Sequence, residues 1–279
     1  MMKPSTVGVH EFERANAWTI TVGVPTLGMI SMRWHVCMLG LKAPMNTPLN
    51  YQHVIGLEVG QARNVIVAEA LAFHDPAKGV RCSHVFFVDD DCLLSQSALQ
   101  QLVARNRPMV SGLYYSKSTP PYPLILPAKH GGTLAEFQHG DLVDCFAHGM
   151  GCTLIHLDVF RSMVDAGVVE RSEQTCTCCQ GVGCRGCFNG GRLMRFFSTT
   201  KDARTDGPRG PEVSSQTEDV YFCERAALAG VQPCVDTGVF AFHYDSAPQS
   251  ETCGECYPLP QWREYRASGR IAWPEAVPA

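Results

Sequence analysis

The stretch His84-Val85-Phe86-Phe87-Val88-Asp89-Asp90-Asp91 runs an apolar segment directly into three carboxylates. A continuous apolar run of this kind is typical of a strand buried on both faces, as in a parallel sheet. Ligands of open α/β sheets bind beyond the carboxyl ends of the strands, so the three acids are expected at a ligand site. Adjacent ionised carboxylates repel one another, and a divalent cation with oxygen ligands removes that cost. The alternative is an acidic turn whose last Asp caps the next helix.

The composition is that of an ordinary globular chain. It has 279 residues, 45% of them hydrophobic and 18% charged, with a formal net charge of -4. This balance gives no global reason to expect a nucleic-acid partner. The chain begins without an apolar leader, and no apolar stretch approaches the roughly 20 residues that a membrane helix needs. We therefore expect no membrane partner and a cytoplasmic location.

Strand-like and helix-like segments alternate along the first half of the chain. Strands are predicted over 18–26, 84–88 and 109–114, and helices over 61–73 and from Ser95 or Ser97 to before Pro108; a further short strand is predicted over 142–147. This alternation is typical of βαβ units and a mostly parallel sheet. We predict an α/β fold, a mostly parallel sheet flanked by helices, in a single domain over 1–279. A Cys-rich segment is inserted over 170–212, and its stretch 201–215 reads as a polar loop.

Several short motifs then follow in a fixed order, each at the end of a predicted element. They are Val24-Pro25-Thr26, Ala62-Arg63-Asn64, Asp89-Asp90-Asp91, Gly149-Met150-Gly151-Cys152, Glu218-Asp219 and His243. In this order the chain resembles the GT-A glycosyltransferases, most closely the family-2-like branch that is frequent in bacterial viruses. The resemblance spans about Thr19 to Asp245 apart from the insertion. It implies a GT-A, Rossmann-like sheet and a nucleotide-diphosphate sugar as donor, with a UDP-sugar expected.

The resemblance also implies roles for donor-side residues. Pro25 and Thr26 would line the nucleobase and ribose, and Arg63 and Asn64 would lie near the base and the diphosphate. The turn Gly149-Met150-Gly151 would let backbone approach the donor sugar. Two alternatives stay open: Arg63 as a solvated residue at a helix start, and the glycines as a plain tight turn.

The same resemblance implies a site for Mn²⁺ or Mg²⁺. Asp89 and Asp91 match an Asp-x-Asp motif, with Asp90 between them facing the nucleotide sugar, and His243 matches a metal ligand late in the chain. A purely structural His243 is the alternative.

Glu218 and Asp219 follow Thr217 at a predicted helix start. Acids in a first turn complement the helix dipole, and this capping role needs no chemistry. The functional alternative is a general base, because an acceptor hydroxyl must lose its proton as it attacks the anomeric carbon. In the inverting relatives the Asp of this pair is the base. The resemblance therefore implies Asp219 as base, Glu218 in support and metal-dependent inverting transfer.

Clustered cysteines predict a second metal site. Two Cys-x2-Cys pairs, separated by glycines, resemble half of the zinc module of DnaJ chaperones, and four thiolates suit a structural Zn²⁺. The chosen ligands are Cys176, Cys179, Cys184 and Cys187. Cys253 and Cys256 form another pair that could replace one of these or hold a second ion. Free surface thiols are the alternative.

Residues 185–209 contain six Lys or Arg, interrupted by Phe196 and Phe197. Basic residues with aromatics suit a polyanion such as nucleic acid. On that hypothesis the acceptor would be a hydroxymethylated pyrimidine in phage DNA; a solvated mobile loop is the alternative. Two further classes of function stay open: a nucleotidyltransferase, and a non-catalytic zinc-containing nucleic-acid-binding protein.

Overall fold

The computed structural model describes residues 18–75, 79–118, 121–129, 132–134, 136–207, 210–245, 254 and 256–257. The helices are α1 (Met32–Leu39), α2 (Val59–Ala72), α3 (Ala98–Ala104), α4 (Leu157–Asp165) and α5 (Glu218–Leu228). The strands are β1 (Trp18–Thr26), β2 (Leu49–Ile55), β3 (His74–Asp75), β4 (Val80–Val88), β5 (Cys92–Leu94), β6 (Met109–Leu113), β7 (Ile125–Leu126), β8 (Leu142–Asp144), β9 (Ala147–His148), β10 (Cys152–His156), β11 (Arg171–Thr175), β12 (Arg192–Met194), β13 (Thr200–Gly207), β14 (Gly210–Gln216), β15 (Cys234–Tyr244) and β16 (Cys256–Tyr257).

The central sheet follows the order β2-β1-β4-β10-β6-β15-β16. Strand β1 is parallel to both β2 and β4, and β6 is parallel to β15. Strand β10 runs antiparallel between β4 and β6, so those two point the same way. Five strands of this path therefore share one direction, which confirms the predicted mixed α/β fold with a mostly parallel sheet.

Strand β4 is buried on both faces, as its continuous apolar run predicts. Phe86 and Val88 belong to one core cluster, whereas Val85 and Phe87 belong to the cluster on the opposite face. Burying one such aromatic side chain stabilises the fold by roughly 2 to 3 kcal/mol. The strand is therefore fixed in register, and the acids that follow it are held at one defined edge of the sheet.

Helix α2 lies between the sheet and the Cys-rich segment. Ten of its 14 residues are buried. Ile66, Val67 and Ala70 pack in the sheet-side cluster, while Val65 and Ala68 pack with two of the cysteines. A helix enclosed on two sides is apolar around most of its circumference. This enclosure fixes the first turns of α2, which carry Arg63 and Asn64.

Two predicted elements differ in the structure. The polar stretch 201–215, predicted as a loop, lies in the antiparallel pair β13 and β14. The single strand expected over 142–147 is divided into β8, which pairs with β15, and β9, which pairs with β7. The division into β8 and β9 follows from pairing with strands distant in sequence, which a local pattern does not report, whereas β13 and β14 are consecutive strands that pair with each other. Among the described residues, no helix has both the length and the apolar content to cross a bilayer.

Candidate functional site

A cavity of about 780 Å³ opens at the carboxyl ends of β1 and β4. Pro25 and Thr26 line it from β1, and Asp89, Asp90 and Asp91 line it from the turn after β4. Parallel α/β sheets bind ligands at this edge. Further residues complete the lining: Leu27, Met29, Ile30, Ser31, Leu57, Glu58, Val59, Lys117 and Asp245.

Backbone hydrogen bonds hold the acidic turn. The Asp89 amide donates to the carbonyl of Gly151 at 3.2 Å, and the Asp89 carbonyl accepts from the Trp34 indole at 2.9 Å. The amide of Tyr244 donates to the Asp91 carbonyl at 2.6 Å. Neighbouring strands and α1 thus fix the acids before any ligand arrives.

The glycine turn lets the chain come close to Asp89. A Cβ at Gly151 would lie 2.9 Å from Asp89 Oδ2, and one at Gly149 would lie 2.0 Å from the Tyr114 hydroxyl. The Gly151 amide donates to that hydroxyl at 2.9 Å. Met150 is buried in the apolar core instead. The turn therefore needs both glycines for close packing, and only its backbone adjoins the acids.

Arg63 joins the two ends of the site. Its guanidinium is buried, donates to Asp89 Oδ1 at 2.6 Å and makes a second, short ion pair with Glu218. Burial would lower the pKa of Arg63, but the charges of Asp89 and Glu218 outweigh it and raise that pKa above its ordinary value. The rings of Phe87 and Phe197 flank the guanidinium carbon at 5.8 and 5.9 Å. Arg63 is thus not a solvated residue at a helix start.

Glu218 and Asp219 begin α5, as predicted. Burial raises the pKa of Glu218, Arg63 opposes this, and the charges of Asp219 and Asp89 add to it. The Asp219 carboxylate accepts from the Val220 amide at 2.8 Å and from the Thr217 hydroxyl. Asp219 therefore has the helix-start contacts of a cap while lying beside the partly buried carboxylate of Glu218.

Two basic side chains lie against Asp91. Its Oδ2 lies 2.6 Å from Lys117 Nζ and 3.2 Å from His243 Nε2. Burial would raise the pKa of Asp91, but hydrogen bonds and charge from His243 and Lys117 outweigh it and hold the pKa well below its ordinary value. Nδ1 of His243 lies 2.8 Å from the Tyr115 carbonyl, which orients the ring. Burial raises the pKa of Asp90, and a hydrogen bond with Thr26 opposes that rise.

The acidic edge fits a divalent cation in part. In an octahedral site with metal–ligand bonds of about 2.1 Å, two neighbouring donor atoms lie about 3 Å apart. Asp91 Oδ2 and His243 Nε2 are 3.2 Å apart, which is close to that spacing. Asp89 is not assembled with them, because its carboxylate faces Arg63. Within the described ranges, the four cysteines alone bring three or more potential ligands within 4.8 Å of one another.

Those cysteines, Cys176, Cys179, Cys184 and Cys187, are the four predicted ones, and they can hold a metal such as zinc. Three of their sulfur pairs are 3.7 to 3.8 Å apart. A tetrahedron with Zn–S bonds of about 2.3 Å has edges of about 3.8 Å. Burial would raise the pKa of Cys187, but backbone hydrogen bonds lower it to about 7, toward the thiolate that a metal needs.

The remaining clustered cysteines lie elsewhere. Cys178 is exposed and outside the group of four. Cys256 pairs with Tyr244 through β16 and is buried in the core cluster that contains Val88. Cys253 lies outside the described residues, so the alternative pair stays a prediction.

The inserted segment packs directly on α2. A Cβ at Gly186 would lie 2.1 Å from the Ala68 carbonyl, so only glycine permits this approach. Asn64 donates to the Phe197 carbonyl at 2.9 Å and accepts from the amides of Phe196 and Phe197 at 3.0 Å each. Its side chain therefore holds the insertion and does not line the donor-side cavity. Both phenylalanines are 1% exposed, so their rings are not available to stack on a nucleic acid, and whether the basic residues around them bind one stays a prediction.

Sequence reasoning missed Lys117 and Glu58 in the cavity lining, and the buried Trp34 that donates to the Asp89 carbonyl behind it. Lys117 lies shortly after β6, a central strand that points the same way as β4. The rule that ligands meet the carboxyl ends of such strands was a usable signal for it. Trp34 and Glu58 contribute through contacts distant in sequence, for which no local pattern exists.

Comparisons with known proteins add a likeness to solved structures. No family model matches the chain, and no curated protein matches it. Among solved structures it is similar to A197 from STIV, with 13% identity and a TM-score of 0.45 over 81% of this chain and 85% of that one. At this identity a likeness says nothing of chemistry, so the function has to be inferred from the site.

Proposed function

We propose that this protein is a glycosyltransferase that moves a sugar from a nucleotide-diphosphate sugar, a UDP-sugar, to an acceptor hydroxyl. The observation that carries the proposal is the buried bridge of Arg63. It links Asp89, at the cavity beyond the parallel strands, to Glu218, beside Asp219 at the start of α5. One charge network thus connects a site for a donor with a site for a general base.

The donor would occupy the cavity at the carboxyl ends of β1 and β4. Pro25 and Thr26 would line the nucleoside, and Lys117 would meet the diphosphate as a cation. A divalent cation held by Asp91 and His243 would neutralise charge on the departing diphosphate when bound. The close backbone of Gly149 and Gly151 would limit the space left for the donor sugar.

The acceptor hydroxyl would lose its proton to Asp219. Glycosyl transfer passes through an oxocarbenium-like state, and a carboxylate on the acceptor side can take the proton as the new bond forms. The Glu218 carboxylate beside it is offset by Arg63, which keeps two adjacent acids from repelling each other without compensation. Attack from that side, opposite the leaving diphosphate, gives inversion.

The experiment is a thermal-shift screen of nucleotide sugars and free nucleoside diphosphates, with and without Mn²⁺, followed by product analysis with each donor that binds. We expect one donor to stabilise the protein in the presence of Mn²⁺ and to release its nucleoside diphosphate slowly. Asp91→Asn should abolish the Mn²⁺-dependent shift, whereas Asp158→Asn, an exposed acid on α4, should retain it.

Asp219→Asn should retain donor binding and lose transfer by at least about 100-fold, the usual contribution of a general base. Pyrophosphate as product would instead identify a nucleotidyltransferase. No binding of any nucleotide sugar, with or without Mn²⁺, would overturn the proposal.

A further inference from the structure

A second cleft of about 670 Å³ adjoins the candidate donor cavity. Glu58, at the start of α2, lines both. The other wall comes from the inserted segment: β11 contributes Ser172, Glu173 and Gln174, and the chain after β12 contributes Arg195 and residues 197–199. The cleft therefore exists only because the Cys-rich insertion packs on α2.

The cleft is close to the proposed base. A Cβ placed on Gly60, in the first turn of α2, would lie 3.1 Å from Glu58 Oε2, 3.2 Å from Glu218 Cβ and 3.4 Å from the Phe197 carbonyl carbon. One glycine thus separates two groups that line the cleft from the acidic pair that begins α5. A molecule in the cleft would reach the junction between the two cavities beside that pair.

The second cleft is lined by many uncharged or acidic side chains that form hydrogen bonds. Hydroxyls, amides and carboxylates alternate around it, contributed by Ser172, Gln174, Ser198, Thr199, Gln61 and Glu173. Some are already fixed: Glu58 accepts from the Thr199 hydroxyl at 3.0 Å and from the Gln61 amide at 3.0 Å. Such a surface of short polar side chains on fixed backbone pairs with a ligand that carries many hydroxyls.

The charge of the cleft disfavours a polyanion. Two carboxylates, Glu58 and Glu173, face one guanidinium, Arg195, and Arg195 lies 3.9 Å from a further acid, Glu170. Binding to nucleic acid depends on Lys and Arg that neutralise phosphates. A stacking platform is also missing from this wall, since the Phe197 ring is buried against Phe222.

We propose that this cleft is the acceptor subsite and that it takes a neutral, hydroxyl-rich acceptor, the end of a glycan chain. The proposal rests on the proposed function and specifies its acceptor. Apart from Asn64 and Phe197, the residues that line the cleft are exposed or half-exposed, so a chain end can enter while the rest of the glycan extends into solvent.

Saturation-transfer NMR on the full chain tests it, with maltohexaose, cellohexaose, chitohexaose and mannohexaose as neutral probes. A heparin hexasaccharide and a single-stranded DNA dodecamer are the anionic probes. We expect at least one neutral probe to bind, and both anions to bind more weakly or not at all. Ser172→Trp should lower the affinity for the neutral probe at least tenfold by filling the cleft. Thr175→Trp, on the same strand outside it, should leave that affinity unchanged.

UDP with Mn²⁺ is titrated into the same three proteins, and their zinc content is measured to confirm folding of the insertion. UDP binding together with no neutral glycan binding would overturn the acceptor subsite and leave the proposed function standing. Absence of both UDP and donor binding would overturn the proposed function. Preferential binding of DNA, or equal glycan affinity in Ser172→Trp, would also overturn the subsite.

Discussion

The two candidate metal regions of this chain differ in how complete they are. The four cysteines are assembled at tetrahedral spacing, within 4.8 Å of one another. At the acidic edge, by contrast, each of two carboxylates is already engaged by a cationic side chain: Asp89 by Arg63 and Asp91 by Lys117, with the His243 ring also within hydrogen-bonding distance of Asp91. The four cysteines form a closed site of the structural type. At the acidic edge, side chains of Arg63 and Lys117 occupy carboxylate positions that a bound divalent cation would use.

This difference teaches which metal each region suits. A closed set of four thiolates leaves no open position and contributes its binding energy to folding. Carboxylates balanced by Lys and Arg are stable without an ion and can exchange those partners when a charged ligand arrives. We therefore expect loss of metal to unfold the first region and to leave the second region folded but inactive.

The largest effect should come from Cys187→Ser. Removing one of four ligands should release the metal and destabilise the chain by at least about 3 kcal/mol, since structural zinc supplies folding energy. Metal content and urea denaturation measure this. Cys178→Ser is the matched control, because that thiol is exposed and outside the group of four. Equal stability of the two variants would contradict a structural metal.

The second-largest effect should come from Arg63→Met. It leaves the partly buried carboxylates of Asp89 and Glu218 without their shared partner. Breaking a fully buried ion pair costs about 3 to 5 kcal/mol, and the partial exposure of both carboxylates puts the expected loss toward the lower end. Sugar transfer should also fall at least about 100-fold, because donor and base sides lose their link.

Arg105→Met is its control, since Arg105 pairs at 2.6 Å with Asp236, a fully buried carboxylate outside the lining of either cavity. That variant should lose stability and retain transfer. If both variants lose transfer equally, the Arg63 bridge has no particular role.

Acidification should weaken the fold through two histidines, His84 and His148. Burial, together with the charge of His156, lowers the pKa of His84 from 6.5 to about 4, and burial lowers that of His148 to about 4. The folded chain thus binds fewer protons than the unfolded chain, so stability is lost as pH falls from about 6.5 toward 4. Linkage predicts roughly 3 to 4 kcal/mol for the two histidines together between pH 7 and 5. Urea denaturation of the parent and of His84→Leu measures it, and the variant should show the smaller pH dependence.

The smallest effect should come from Lys117→Met. Removing the ammonium that lies on Asp91 should tighten binding of free Mn²⁺ several-fold, since exposed pairs are worth about 1 kcal/mol or less. Electron paramagnetic resonance titration measures this without nucleotide. Lys129→Met, which removes a pair with Glu224 on α5, should leave Mn²⁺ binding unchanged. Unchanged binding in both variants would mean that Lys117 does not compete with a cation.

Part of this organisation could be predicted from sequence. The strand that ends just before Asp89 is a continuous apolar run, and the four cysteines form two Cys-x2-Cys pairs. Both features are local patterns in the sequence. The Arg63 bridge joins residues 155 positions apart in one ion pair, for which no local pattern exists. Phe196 and Phe197 lie among basic residues in the sequence, and only the packing of the insertion on α2 reveals that they belong to the core.

The close contact of Gly186 with the Ala68 carbonyl makes the protein sensitive to oxidants at the four cysteines, away from the proposed active site. The two sulfurs of a disulfide lie about 2 Å apart. Oxidising two of the four thiols would therefore contract the four-cysteine cluster and draw Gly186 away from Ala68 of α2. Arg63 lies in the first turns of that helix. Strand β11 and the chain after β12, both in the Cys-rich segment, form one wall of the cleft beside the helix. Peroxide should therefore inactivate the protein without modifying any residue of the candidate donor cavity, and reductant with zinc should restore it.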